Sequence, residues 1–170
     1  MRILGIDPGY ERLGLAVIDR GPNAPETLVF STCLRTPTKQ IFAERLLTLG
    51  EELSKLIEKY KPEHLSLEQV FIAANRKTAT RVAEVRGVII YLAAKNNLPV
   101  IDLTPLQVKM AITGFGRASK EQIQVMASKL LRLGPSKKLD DEYDAMAIAL
   151  AGLGYCRQIY PHLSERVVAK

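Results

Sequence analysis

Met1-Arg2-Ile3-Leu4-Gly5-Ile6-Asp7-Pro8-Gly9-Tyr10 opens the chain. An apolar run carries a single carboxylate, Asp7, at its C-terminal end. Pro8 cannot extend a strand ladder and Gly9 supplies the freedom of a tight turn, so the run is a strand that stops here. Arg12 to Asp19 follows as a second strand, which makes the pair an antiparallel hairpin. A charge on the last residue of a buried strand is unfavourable unless something binds it, so Asp7 marks either a site or a turn cap.

Thr27 to Leu34 is a third β-rich run reached through Gly21-Pro22-Asn23-Ala24-Pro25. Phe42, Leu46, Leu49, Leu53 and Leu56 recur at steps of three and four, which predicts a helix from Lys39 to Tyr60. His64 to Val70 is a fourth strand, Arg76 to Asn96 a helix with Val82, Val85, Ile89 and Leu92 on one face, and Pro99 to Leu103 a fifth strand. An opening meander followed by strand-helix-strand-helix order predicts an α/β fold with a five-stranded mixed sheet, helices on both faces and right-handed crossovers. Thr104-Pro105-Leu106-Gln107 and Ser119-Lys120-Glu121-Gln122 are helix starts of the capping-box kind. In the second of these helices Ile123, Met126 and Leu130 are expected inward. A last helix starts near Asp141 and is apolar on nearly every side through Ala151, so it is expected to be buried. Pro161 limits its continuation, and the chain divides into a single domain over 1–155 and a tail over 156–170.

Composition narrows the function. The chain has 170 residues, the size of one domain, and no run approaches the ~20 apolar residues of a membrane span. No basic-then-apolar leader precedes Asp7 and Pro8, so a cytoplasmic location without membrane contact is expected. Cys33 and Cys156 have no metal-ligand spacing and are expected as reduced thiols, and two histidines cannot furnish a histidine-rich zinc site. A net charge of +6 and a pI of about 9.4 favour a polyanionic partner.

Three acidic positions stand where surface decoration is not expected. Asp7 ends the first strand, Glu68 lies in or at the end of the fourth, and Asp141 and Asp144 share one face in the first turn of the last helix. If the first and fourth strands are neighbours, Asp7 and Glu68 meet at the carboxyl edge of the sheet, where ligands of open α/β sheets collect. Packing the last helix over that edge adds the aspartate pair. Four clustered carboxylates need cations, and an all-oxygen set selects magnesium or manganese. Two such ions are the apparatus of in-line phosphodiester cleavage. Singly, each acid has a plainer reading: Asp141 as an N-cap, Glu68 as a salt-bridged strand residue, Asp140 and Glu142 as solvated, with Asp140 able to exchange roles with Asp141.

Gly5-Ile6-Asp7-Pro8-Gly9 with Gly14, Leu67-Glu68-Gln69-Val70-Phe71, Gln107-Val108-Lys109, Ser119-Lys120 and Asp141-x-x-Asp144-Ala145 together resemble the RuvC Holliday-junction resolvases. The resemblance runs in order from residue 1 to about 153. It implies a ribonuclease H-like fold, a homodimer, and symmetric magnesium-dependent nicking of opposing strands of a four-way DNA junction. It also implies cooperation with the RuvA and RuvB branch-migration proteins. The family's acidic set falls on Asp7, Glu68, Asp141 and Asp144, its base-stacking aromatic on Phe71, and its two basic positions on Lys109 and Lys120. Arg117, Arg76 and Lys77 are further candidates for phosphate contact.

The helix around Ala83 and Gly87, small residues four apart, is the region through which that family dimerises, with a second semi-apolar face through Val88 and Tyr91. Three rivals remain open. An actin-like or sugar-kinase-like ATPase also opens with Gly-Ile-Asp-x-Gly, but needs a second domain that 170 residues cannot supply. A nuclease of the same fold could act on structured RNA, and a junction-binding protein need not cut.

Overall fold

The computed structural model describes residues 1–69, 76–134 and 138–159, of which 76–78 and 157–159 are described by backbone alone. The order is β1 (Arg2–Asp7), β2 (Arg12–Asp19), β3 (Thr27–Arg35), α1 (Phe42–Tyr60), β4 (His64–Glu68), α2 (Arg76–Lys95), β5 (Val100–Leu103), α3 (Pro105–Thr113), α4 (Lys120–Leu130) and α5 (Asp140–Ile159). The strands form one sheet of order β3-β2-β1-β4-β5. The opening meander is antiparallel, while β1–β4 and β4–β5 are parallel. This is the expected mixed sheet, and the first strand lies at its centre.

Period-two alternation divides the core. Leu4, Ile6, Leu13, Leu15, Leu65 and Leu67 face α1 and α2, whose Leu49, Leu53, Ile57, Val85 and Ile89 cover them. Ile3, Ala16, Ile18, Ile101 and Leu103 face the other way, onto α3, α4 and above all α5, whose run from Ala145 to Ala151 is buried throughout. Between these apolar residues the sheet presents unusually small ones to α5. A Cβ on Gly5 would stand 2.4 Å from the Ala145 carbonyl oxygen, and one on Gly14 would stand 2.1 Å from that of Asp141. Ser66 donates to the Ile148 carbonyl at 2.9 Å, satisfying a buried hydroxyl against the helix backbone. The last helix therefore lies backbone-close on the sheet, held by the absence of side chains as much as by their contact.

Both capping boxes form. Thr104 and Gln107 exchange their two hydrogen bonds at the start of α3, and Ser119 and Gln122 do so at α4. Several boundaries differ from expectation. The helix expected from Lys39 starts at Phe42, because residues after Pro37 first make a turn closed by the Gln40 N–H on the Pro37 carbonyl at 3.2 Å. In α4, Ile123 and Met126 pack inward as expected, but Leu130 is 40% exposed and the next residue, Leu131, takes the core position as the helix ends. The last helix continues beyond Ala151 and is described through Ile159, and Cys156 within this extension is buried in the α5 core. Both cysteines are free thiols. Among the described residues no helix is long and apolar enough to cross a membrane.

Candidate active site

Strand register sets the first two carboxylates. Ile6 pairs with Leu67 across the parallel β1–β4 ladder, so Asp7 and Glu68 are the next residues on adjacent strands. Both side chains alternate onto the α5 face, since Ile6 and Leu67 before them face the opposite core. Glu68 is the last ladder residue of β4, opposite Leu103, and the Gln69 N–H closes the edge on the Leu103 carbonyl at 2.8 Å. On the other side Asp7 pairs with Gly14, and Gly14 with Cys33. Glycine at position 14 lets the first turn of α5 descend onto this row.

That turn brings Asp141 and Asp144. Asp141 lies inside the helix, one residue past its start at Asp140, which removes the N-cap reading. Glu142 caps the helix instead, its carboxylate accepting the Leu139 N–H at 3.3 Å. It also accepts from the Ser31 hydroxyl at 2.6 Å and pairs with Lys138 at 3.6 Å, so it is a structural acid and not the solvated one expected. Asp140 is exposed. Asp141 points to β3 and the hairpin, 3.4 Å from Arg12 and 3.7 Å from the Cys33 thiol. Asp144 pairs with Lys120 at 2.7 Å.

Electrostatics couple Asp7 to each of the other three. Asp7 is raised from 3.8 to about 7, by burial first and then by the charges of Asp144, Glu68 and Asp141, against a lowering influence of Lys120. Burial and Asp144 raise Glu68, while Arg86 and Lys109 pull it down. Burial also raises Asp144, although Lys120 opposes this. In Lys120, desolvation is outweighed by Asp144, Asp140 and Asp7, and the ammonium holds its proton more tightly. Among the described residues no three acidic, histidine or cysteine side chains stand together as a ready ligand cage. Lys120 and Arg12 hold Asp144 and Asp141 in ion pairs instead.

Lys109, half-buried on α3, is near enough to act on Glu68. Arg117 is exposed on the loop between α3 and α4. Phe71 lies outside the described residues, as do the side chains of Arg76 and Lys77, whose backbone forms the first turn of α2. Arg86 was not anticipated. From the opposite face of the sheet its guanidinium donates to the Glu68 carbonyl and to Asp102 at 2.9 Å, tying the carboxyl ends of β4 and β5 together. A lone arginine within a helical pattern gives no sign in sequence of reaching over a sheet edge.

A five-stranded mixed sheet with acids gathered at the carboxyl ends of its central parallel pair, roofed by the last helix, defines the ribonuclease H-like class. The family described as crossover junction endodeoxyribonuclease RuvC matches residues 3–152. The RuvC of Moorella thermoacetica is 43% identical over 150 residues, covering 88% of this chain and 89% of that protein. The RuvC of Leifsonia xyli is 42% identical, covering 88% and 72%. Among solved structures, Thermus thermophilus RuvC in complex with a Holliday junction substrate superposes with a TM-score of 0.87 at 28% identity, covering 93% of this chain and 96% of that one. This chain belongs to the RuvC family of crossover junction endodeoxyribonucleases. The ATPase-like reading falls with that finding.

Proposed function

We propose that this chain resolves four-way DNA junctions by symmetric nicks in two opposing strands, with Asp7, Glu68, Asp141 and Asp144 forming the centre of each cut. The observation that carries this is the row of Asp7 and Glu68 at the end of neighbouring parallel strands, closed over by the aspartates of α5. The donor set fits hard divalent cations: every candidate ligand is a carboxylate oxygen, and three of the four hold protons abnormally tightly, through burial first and neighbouring acids second. Two magnesium ions, with manganese as substitute, would supply charge on the sides of the attacking water and the leaving oxygen.

The chain's own residues do the rest. Asp7 keeps a proton near neutral pH in the metal-free state and releases it when positive charge arrives. Lys120 neutralises Asp144 in the meantime and, once that carboxylate is otherwise engaged, is left to meet a phosphate. Lys109, Arg117, Arg76 and Lys77 add phosphate contacts, and Phe71 stacks on a base near the junction centre.

Paired cuts need two copies. Ala83, Gly87, Ile90 and Tyr91 are exposed at i, i+4, i+7 and i+8 of α2, with Tyr91 at 64%, a stripe suited to isologous packing against itself. Val88, expected on this face, turns inward to within 3.3 Å of the Cβ position of Gly50 on α1. RuvA and RuvB, in the cytoplasm, are the further partners of this reading. The test is a labelled four-way junction incubated with magnesium beside linear duplex and RNA–DNA hybrid. Paired nicks in the junction alone support the assignment, whereas preferential cutting of the hybrid sinks it.

A further inference from the structure

We propose that the groove between α1, α2 and the β1–β2 turn binds a backbone phosphate of the junction outside the acidic centre, with Arg45 and Arg81 as its cationic walls. This rests on the junction-cutting reading. The groove encloses about 740 Å³, between Tyr10, Gln40, Phe42, Arg45, Thr80 and Arg81.

Arg45 supplies the main argument. It is only 7% exposed, its Nε donates to the Pro37 carbonyl at 3.2 Å and its Nη2 to the Thr36 carbonyl at 3.4 Å. The Tyr10 ring lies 5.3 Å from the guanidinium carbon, and among the described residues no carboxylate pairs with it. A guanidinium withdrawn from water retains its charge at a cost that neutral carbonyls only partly offset, and an anion in the adjoining groove completes the balance.

The start of α1 points the same way. Ile41 precedes this 19-residue helix and no side chain caps it, so its first-turn N–H groups lack a side-chain acceptor at the cap, with Glu44 the acid of that turn. Arg81 lies on the opposite wall, over the Phe42 ring at 3.9 Å, with Glu84 3.5 Å away. Two guanidinium groups against one carboxylate leave the walls with a single positive charge, which matches one phosphodiester. The buried Oε1 of Gln40 has no donor, and turning the amide over offers its NH2 to the same ligand.

The junction-cutting reading supplies that phosphate as a DNA backbone phosphodiester, since Tyr10 on the groove wall follows Asp7 by three residues, on the turn that ends β1.

The experiment measures junction binding by the full chain carrying Asp7→Asn, across a salt series, with and without Arg81→Gln and Arg45→Gln. Junctions bearing one neutral methylphosphonate at a time, stepped along the cut strand, are run in parallel. The double variant is expected to lower the log–log salt slope by about 0.9, one phosphate contact. One methylphosphonate away from the cut should weaken binding by the parent and have no further effect in the variants. Arg81 is exposed, so Arg81→Gln with the methylphosphonate profile decides the matter if Arg45→Gln does not fold by circular dichroism. Unchanged slope and unchanged profile in folded variants overturn the proposal. A parent with no preference for junction over duplex overturns the underlying reading instead, and is seen before any variant is compared.

Discussion

Replacing Asp7 by asparagine removes a charge that burial and three neighbouring acids disfavour. The carboxyl is raised from 3.8 to about 7, by burial and then by three neighbouring acids. A displacement of about three pK units corresponds to ~4 kcal/mol at about 1.36 kcal/mol per unit. Side-chain relaxation brings that down to ~2 kcal/mol. Between about pH 4 and pH 7 the folded chain holds a proton at Asp7 that the unfolded chain has released. Stability of the metal-free protein therefore falls as pH rises through this window and levels off above it. Asp7→Asn is neutral and of the same shape, so it loses Asp7's share of the slope. At about pH 8 in chelator it should be more stable than the parent by ~2 kcal/mol, or about 4–8 °C in Tm for a chain of this size. Thermal unfolding followed by circular dichroism across the pH range measures this. Magnesium should reverse the order, since ligand at ~100 times its Kd stabilises the parent by about 2.7 kcal/mol and the variant far less. A variant less stable than the parent at alkaline pH in chelator, with an undiminished pH slope, would show that Asp7 carries no such burden.

Gly5→Ala places a methyl 2.4 Å from the Ala145 carbonyl oxygen and 2.6 Å from the Ala149 Cβ, forcing α5 off the sheet. It should cost ~1–3 kcal/mol in chemical denaturation and slow nicking, because Asp144 immediately precedes Ala145. Gly154→Ala, with nothing within 4 Å of the added methyl, should instead raise stability by ~0.5–1 kcal/mol and leave nicking unchanged; equal effects at the two glycines would contradict the packing account. Lys120→Ala should shallow the salt dependence of junction binding by roughly 0.9 in log–log slope, and a slope equal to the parent's removes Lys120 from the phosphate contacts. Phe71→Ala should slow single-turnover cutting more than it weakens junction binding, a stacked base contributing ~1–3 kcal/mol; parallel losses would point to a packing role.

Much of this was legible in the sequence, for local reasons. The apolar run from Ile3 to Ile6 puts Asp7 at a strand end, the i, i+3 spacing of Asp141 and Asp144 puts both on one helix face, and both capping boxes are spelled out over four residues. The start of α1 was not legible, because Ile41 carries no capping side chain and the Pro37 turn intervenes. Nor was the pairing within the site. Lys120 on Asp144, Arg12 and Cys33 beside Asp141, and Arg86 beneath Glu68 each join segments far apart in the chain. Their meeting depends on how deeply α5 and α2 settle on the sheet, and no local pattern encodes that depth.

The small residues under α5 give the centre a mechanical character. Asp7 and Glu68 form one jaw, locked in register by the central ladder, and the first turn of α5 forms the other. The gap of this calliper is set by glycine and serine far more than by the acids it measures. Substitutions that never touch an acid can thus detune cutting while leaving every carboxylate in place.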